Sequence, residues 1–245
     1  MNQHKETIFD HDKYRITEDD LNFYYSDAAR GLRLEVDYLK AEEKMKEEGI
    51  EYTIVVFGSA RTDDNDRHYI EARKFGRLVG ASGTGPEDCH VTLATGGGPG
   101  IMEAANRGAH DVGAKSIGLN IKLPHEQFPN PYITPELSFQ FYYFGIRKLH
   151  FLQRAKALVV FPGGFGTMDE LFDIFTLMQT KKSPLIPVIL ISEEFWKSII
   201  NFSNLVEKGV INHEDLNLFS YAEDAYDAWN MINSWYDERN IALFR

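Results

Sequence analysis

Apolar positions along the chain fall into two alternating rhythms. Short, nearly continuous apolar runs occur at 52–57, 91–94, 116–121, 158–161 and 187–191, with an aromatic strand-like run at 138–144. Runs of this length, rich in β-branched and aromatic residues, predict strands buried on both faces. Between them the spacing shifts to three and four residues, which predicts helices. The first spans 18–48, with Leu21, Tyr25, Ala28, Leu32, Val36 and Leu39 as its stripe and Gly49 as its stop. It needs something to cover, either the sheet or a second subunit. Others are expected at 66–81, 101–112, 145–155, from Thr167 onward (Leu171, Ile174, Phe175, Met178), at 193–206 and at 222–238 (Trp229, Ile232, Tyr236). Residues 1–17 read as a frayed polar end, and 212–220 as irregular.

Strands alternating with helices specify a parallel sheet covered on both faces. The expected fold is therefore α/β, a Rossmann-like doubly wound parallel sheet with an added N-terminal helix. One domain is expected over 1–245: a helical extension at 1–49, a core at 50–192 and a helical part at 193–245. Ligands in such sheets bind beyond the carboxyl ends of the strands, near the switch point.

Two of the strand-to-helix turns are rich in glycine. Residues Leu158 to Phe161 run into Pro162-Gly163-Gly164-Phe165-Gly166-Thr167-Met168-Asp169-Glu170. Glycines there let the backbone turn tightly and approach a ligand. The amides and dipole of the following helix suit a phosphate. Thr167 and Glu170 also fit a capping box, a purely local role. The second turn is Thr95-Gly96-Gly97-Gly98-Pro99-Gly100, where Pro99 suits a first helical turn. A third, Gly58-Ser59-Ala60-Arg61, fits a phosphate or ribose contact and an ordinary βα turn equally well. The proline-bearing loop at 122–137, with His125 and Phe128, has the length of a lid or binding loop.

Composition narrows the partners. The net charge of −11 argues against nucleic acid, and the densest basic group, Arg147, Lys148, Arg154 and Lys156, lies beside the glycine motif. The single cysteine, Cys89, reads as a loop residue and leaves no internal disulfide and no metal constellation. The polar start carries no apolar signal segment, and no apolar run reaches membrane length, so a cytoplasmic protein without a membrane partner is expected.

Familiar phosphate motifs fail on spacing: there is no G-x-x-x-x-G-K-[ST], and neither glycine turn fits G-x-G-x-x-G. The carboxylates say more. Glu103 and Glu170 each follow an anion-attracting turn, and a helix N-terminus favours the ionised form. Ionised glutamate suits an acceptor for ribose hydroxyls, a base toward water or a stabiliser of an oxocarbenium-like centre, and not a general acid. Arg147 suits a phosphate or a departing base, or simply a surface helical position.

The stretch from Thr95 to Asn106 together with Pro162-Gly163-Gly164-Phe165-Gly166-Thr167-Met168-Asp169-Glu170 resembles the LONELY GUY (LOG) family, often misnamed lysine decarboxylase. The P-G-G-x-G-T-x-x-E signature is specific, and the likeness runs from about residue 53 to 191. The two ends are similar to the longer bacterial members. The resemblance implies a phosphoribohydrolase that cleaves nucleoside 5′-monophosphates, such as AMP or a cytokinin riboside monophosphate, to free base and ribose 5-phosphate. It makes Arg147 and Glu170 the catalytic residues. Phosphate and nucleotide contacts pass to Pro162, Gly163, Gly164, Gly166, Thr167 and Lys148, and, by the turn argument above, to Gly58, Ser59, Gly97, Gly98 and Glu103. No cofactor and no metal are implied, and a homodimer or larger homo-oligomer is expected. The rival reading is a non-catalytic nucleotide sensor. Phosphoribosyl transfer to an acceptor other than water is a third.

Overall fold

The computed structural model describes residues 21–82, 91–123 and 128–243. Along the chain run α1 (Leu21–Tyr24), α2 (Arg30–Glu47), β1 (Tyr52–Phe57), α3 (Arg67–Gly80), β2 (Val91–Thr95), α4 (Ile101–Asp111) and β3 (Ser116–Ile121). There follow β4 (Ser138–Phe141), α5 (Phe144–Gln153), β5 (Ala155–Val160), α6 (Phe165–Gln179) and β6 (Val188–Ile191). The chain closes with α7 (Glu193–Ile199), α8 (Phe202–Glu207), β7 (Ser220–Ala222) and α9 (Ala225–Asp237).

The seven strands form one all-parallel sheet in the order β4-β3-β2-β1-β5-β6-β7. This is the doubly wound α/β architecture that the alternation predicts. Chain order runs outward from β1 to β4, then crosses to β5 on the other side of β1. The switch point therefore lies between β1 and β5, which pair through Val56↔Val159 and Phe57↔Val160. Successive side chains in a strand face opposite ways. On β1, Val55 and Phe57 join a core with Met45, Phe151, Leu171 and Trp196, whereas Ile54 and Val56 join one with Phe75, Ile101, Phe161 and Ile232. Two buried faces explain why the strands read as continuous apolar runs rather than alternating ones.

Several boundaries move. The expected helix over 18–48 begins outside the described residues and is broken: α1 ends at Tyr24 and α2 starts at Arg30. Its stripe does not face the sheet, because Leu21, Tyr25, Leu32, Val36 and Leu39 are exposed while Ala41 and Met45 are buried. Only the second half of α2 packs into the core, and polar anchors to α5, described below, set its rotation. The helix expected at 193–206 is two, since Ile200 is extended and the Asn201 side chain accepts from the Asn204 amide to start α8. The irregular stretch at 212–220 ends in the short edge strand β7, three residues that are too few to show a period. Cys89, His125 and the whole polar start, 1–17, lie outside the described residues. Among the described residues no helix is long and apolar enough to cross a membrane.

Candidate active site

Three βα turns meet at Ser59. Its amide donates to the Pro162 carbonyl at 3.0 Å, and its carbonyl accepts from the Ile101 amide at 3.0 Å. Gly100 passes so close to that carbonyl, at φ +68°, that a Cβ there would lie 2.4 Å from it. Only glycine fits such an approach at positive φ. Over the carboxyl ends of β1 and β5, at the switch point, a cavity of about 580 Å³ opens. That volume lies within the range of small-ligand sites.

One wall is the start of α6. The N-cap is Gly164, with no side chain to cap the helix, so the amides of Phe165, Gly166 and Thr167 have no intrahelical partner, and these three residues line the cavity. Gly163 lets the Thr167 side chain fold back over the turn, since a Cβ at 163 would lie 2.1 Å from the Thr167 hydroxyl oxygen. The capping box that Thr167 and Glu170 also fit, the purely local alternative, does not form. The helix starts at Phe165, two residues before the expected opening, which puts Thr167 in the first turn and Glu170 in the second.

Arg147 and Glu170 line the same cavity. Arg147 stands in the first turn of α5, its Nε donating to the Leu119 carbonyl at 2.7 Å and its guanidinium lying 5.0 Å from the Phe151 ring centroid. A Cβ at Gly96 would come within 2.5 Å of this guanidinium, so the second glycine turn makes room for it. Burial lowers the Arg147 pKa, and Glu170 opposes that shift. Glu170 is 6% exposed. Burial pushes its carboxyl up to about 7, against the pull of Arg147 and Lys148. This corrects the expectation of a fully ionised glutamate. In the second turn the residue is past the reach of the helix terminus, and desolvation outweighs the charges nearby.

Of the residues singled out in the sequence, the cavity brings together Gly58, Ser59, Arg147, Gly164, Gly166, Thr167 and Glu170. Others stand elsewhere. Pro162 and Gly163 do not line the cavity, and the Pro162 carbonyl is taken by the Ser59 amide. Gly97 and Gly98 are buried, and their carbonyls accept from the backbone and side-chain amides of Asn130 at 2.9 and 3.1 Å. Glu103 does not line the cavity, because it turns to α3 and accepts from the Tyr69 hydroxyl at 3.1 Å. Lys148 lies in a neighbouring groove, 2.9 Å from the Asp169 carboxylate. Burial opposes its charge, but the hydrogen bond to Asp169 and nearby carboxylates raise its pKa overall.

The sequence reading missed the buried polar network behind the second turn. Asn106, fully buried, accepts from the Thr95 hydroxyl at 2.6 Å and from Asn130 at 3.0 Å, and donates to the Ser116 hydroxyl at 2.9 Å. Its signal was an amide on the apolar face of α4. Met102, which the sequence did not single out, also lines the cavity, as does Arg61 of the third turn. Among the described residues no cluster of three or more His, Cys, Asp or Glu is placed to hold a metal ion.

A family model described as "Possible lysine decarboxylase" matches residues 102–232, just over half of the chain. The pyrimidine/purine nucleotide 5′-monophosphate nucleosidase of Escherichia coli (strain K12) is 27% identical over 143 residues, covering 51% of this chain and 28% of that protein. The protein of the same name in Escherichia coli O157:H7 matches equally. The chain thus spans little more than a quarter of the length of these relatives. Among solved structures, the molybdenum cofactor binding protein of Rippkaea orientalis superposes with a TM-score of 0.52 at 19% identity, covering 76% of this chain and 97% of that one. A structural-genomics target, TM1055, gives 0.53 at 18%, covering 75% and 99%. At such identities these two share the fold alone.

Proposed function

This chain belongs to the family described as possible lysine decarboxylase, the LONELY GUY type, and we propose that it hydrolyses the N-glycosidic bond of a nucleoside 5′-monophosphate. The products are the free base and ribose 5-phosphate. The observation that carries this reading is a buried glutamate whose pKa is pushed up to about 7 in the same cavity as a half-buried arginine and the open amides of a helix start. The amides of residues 165–167 hold the 5′-phosphate. Ionised Glu170 stabilises the ribosyl cation as the C1′–N bond lengthens and takes a proton from the attacking water. Arg147 supplies positive charge to the phosphate or to the departing base, which leaves with its electron pair and then gains a proton. Similarity to a nucleotide 5′-monophosphate nucleosidase supports the same reaction class.

Decarboxylation of an amino acid fits the site poorly. That chemistry uses a lysine in Schiff-base linkage to pyridoxal phosphate. Among the described residues that line the cavity there is no lysine, and Lys148 is paired with Asp169 outside it.

The reading includes a homodimer, in which a second copy covers apolar side chains left exposed around the cavity mouth and on α2, such as Phe165, Phe172, Leu32 and Val36. Incubation with AMP and a panel of purine, pyrimidine and N6-modified monophosphates tests the activity. Release of base and ribose 5-phosphate is expected without any added acceptor. No product across the panel ends the proposal, and tight calorimetric binding without turnover points to a sensor instead.

A further inference from the structure

We infer that Asp37, on the N-terminal helix α2, is a positioning residue that fixes the first turn of α5 and, through it, Arg147. The inference rests on the nucleotide reading of the cavity and extends it to a part of the chain outside the residues matched by the family model.

The first turn of α5 lacks a cap of its own: its N-cap residue, Tyr143, makes no side-chain hydrogen bond to the helix. Asp37 takes that part from a distance of more than one hundred residues in sequence. Its carboxylate accepts from the Tyr142 amide at 3.0 Å and from the Tyr143 amide at 3.0 Å. A carboxylate on two backbone amides at the positive end of a helix makes a charge-assisted cap. Arg147 follows Tyr143 by four residues, and the Arg147 amide closes the first backbone bond of the helix onto the Tyr143 carbonyl at 3.2 Å. Displacing residues 142–143 therefore moves Arg147 directly.

One further tie from α2 meets the same N-cap residue, the Arg33 Nε donating to the Tyr143 hydroxyl at 3.1 Å, and the others sit farther along. The Tyr38 ring stacks on His150 at 4.9 Å, and Glu42 pairs with both terminal nitrogens of Arg154 at 2.7 and 2.9 Å. Those two hold the middle and the end of α5. At this end of α5 Arg33 grips only the Tyr143 side chain, so among the described residues Asp37 is the α2 group that holds the backbone just ahead of the turn that carries the guanidinium. On the opposite side, Arg147 is tied to the Leu119 carbonyl of β3, so α2 and β3 grip the segment from two directions. A shift of about 1 Å at a reacting group costs on the order of a hundredfold in rate, and loss of a cap is enough to permit such a shift.

A double-mutant cycle separates positioning from simple support. The four proteins are the full chain, Asp37→Ala, Arg147→Ala and the double variant, assayed for kcat/KM on AMP and for AMP binding by calorimetry. Asp37→Ala is expected to lower kcat/KM about tenfold or more. In the Arg147→Ala background the same change should cost less than about twofold, because its route of action is already gone. Asp37→Asn, which keeps one acceptor oxygen, should recover most of the loss and guards against a failure of Asp37→Ala to fold. Equal losses in both backgrounds overturn the inference. If the wild-type chain binds AMP without turnover, the nucleosidase reading falls while the binding cycle still decides the role of Asp37. If it does not bind AMP at all, both fall.

Discussion

Arg147 and Glu170 line one cavity without closing an ion pair: no contact within 4.0 Å joins them, yet each shifts the other's proton affinity. A closed pair would hold the carboxylate ionised and occupied. Left apart in a desolvated site, the glutamate sits near 7 and stays available to water and sugar.

The same burial makes Glu170 a cost to the fold. Its folded pKa, about 7, lies above its ordinary 4.5, so the native state holds a proton that the unfolded chain releases between those values. The contribution of this one group to stability is therefore most favourable below pH 4.5 and worsens as pH rises through 7, by about 3 kcal/mol. Glu170→Gln should remove that decline and be more stable than wild type at pH 8, while losing activity by about a hundredfold or more. Denaturant melts at pH 5 and pH 8, read beside turnover, check both halves. A Gln variant that is less stable at pH 8 counts against a desolvated carboxyl.

Turnover should follow ionisation of Glu170. Activity in kcat/KM is expected to rise with pH through about 7 and then level off. A pH–rate profile measured from pH 5 to 9 tests this, and a maximum near pH 5 would contradict the role of Glu170 as base.

Arg61 is an exposed guanidinium that lines the cavity beyond β1, near the turn at 164–167. If it meets the 5′-phosphate, Arg61→Ala removes one charge-assisted hydrogen bond, and kcat/KM for AMP should drop about tenfold or more. Adenosine, which has no phosphate, should be handled equally by both proteins. Parallel losses on both substrates would place Arg61 elsewhere.

Asn106 should matter for stability. Asn106→Leu leaves the Thr95 hydroxyl, the Ser116 hydroxyl and the Asn130 amide without their shared partner in a fully buried site. A loss of about 2–4 kcal/mol is expected from several unsatisfied groups, measured as a shift in urea midpoint. A loss below about 0.5 kcal/mol would mean the network does not hold the second turn.

The sequence alone determined the layered fold. Short apolar runs rich in β-branched and aromatic residues fit strands covered on both sides, and the helical spacing between them leaves a parallel sheet as the consistent arrangement. It also placed the glycine turn at 162–167, because tight turns and close backbone approach leave a compositional mark. Local pattern fails where partners come from distant segments. Nothing near Glu103 foretells Tyr69, and nothing near Asp37 foretells the start of α5. The break in the first helix and the exposure of its stripe depend on which half of α2 meets the core. Above all, the charge state of Glu170 was decided by tertiary structure. Sequence supplies the carboxyl and its place after a glycine turn, but desolvation is set by everything that packs around it, and here it outweighs the field of the arginine beside it.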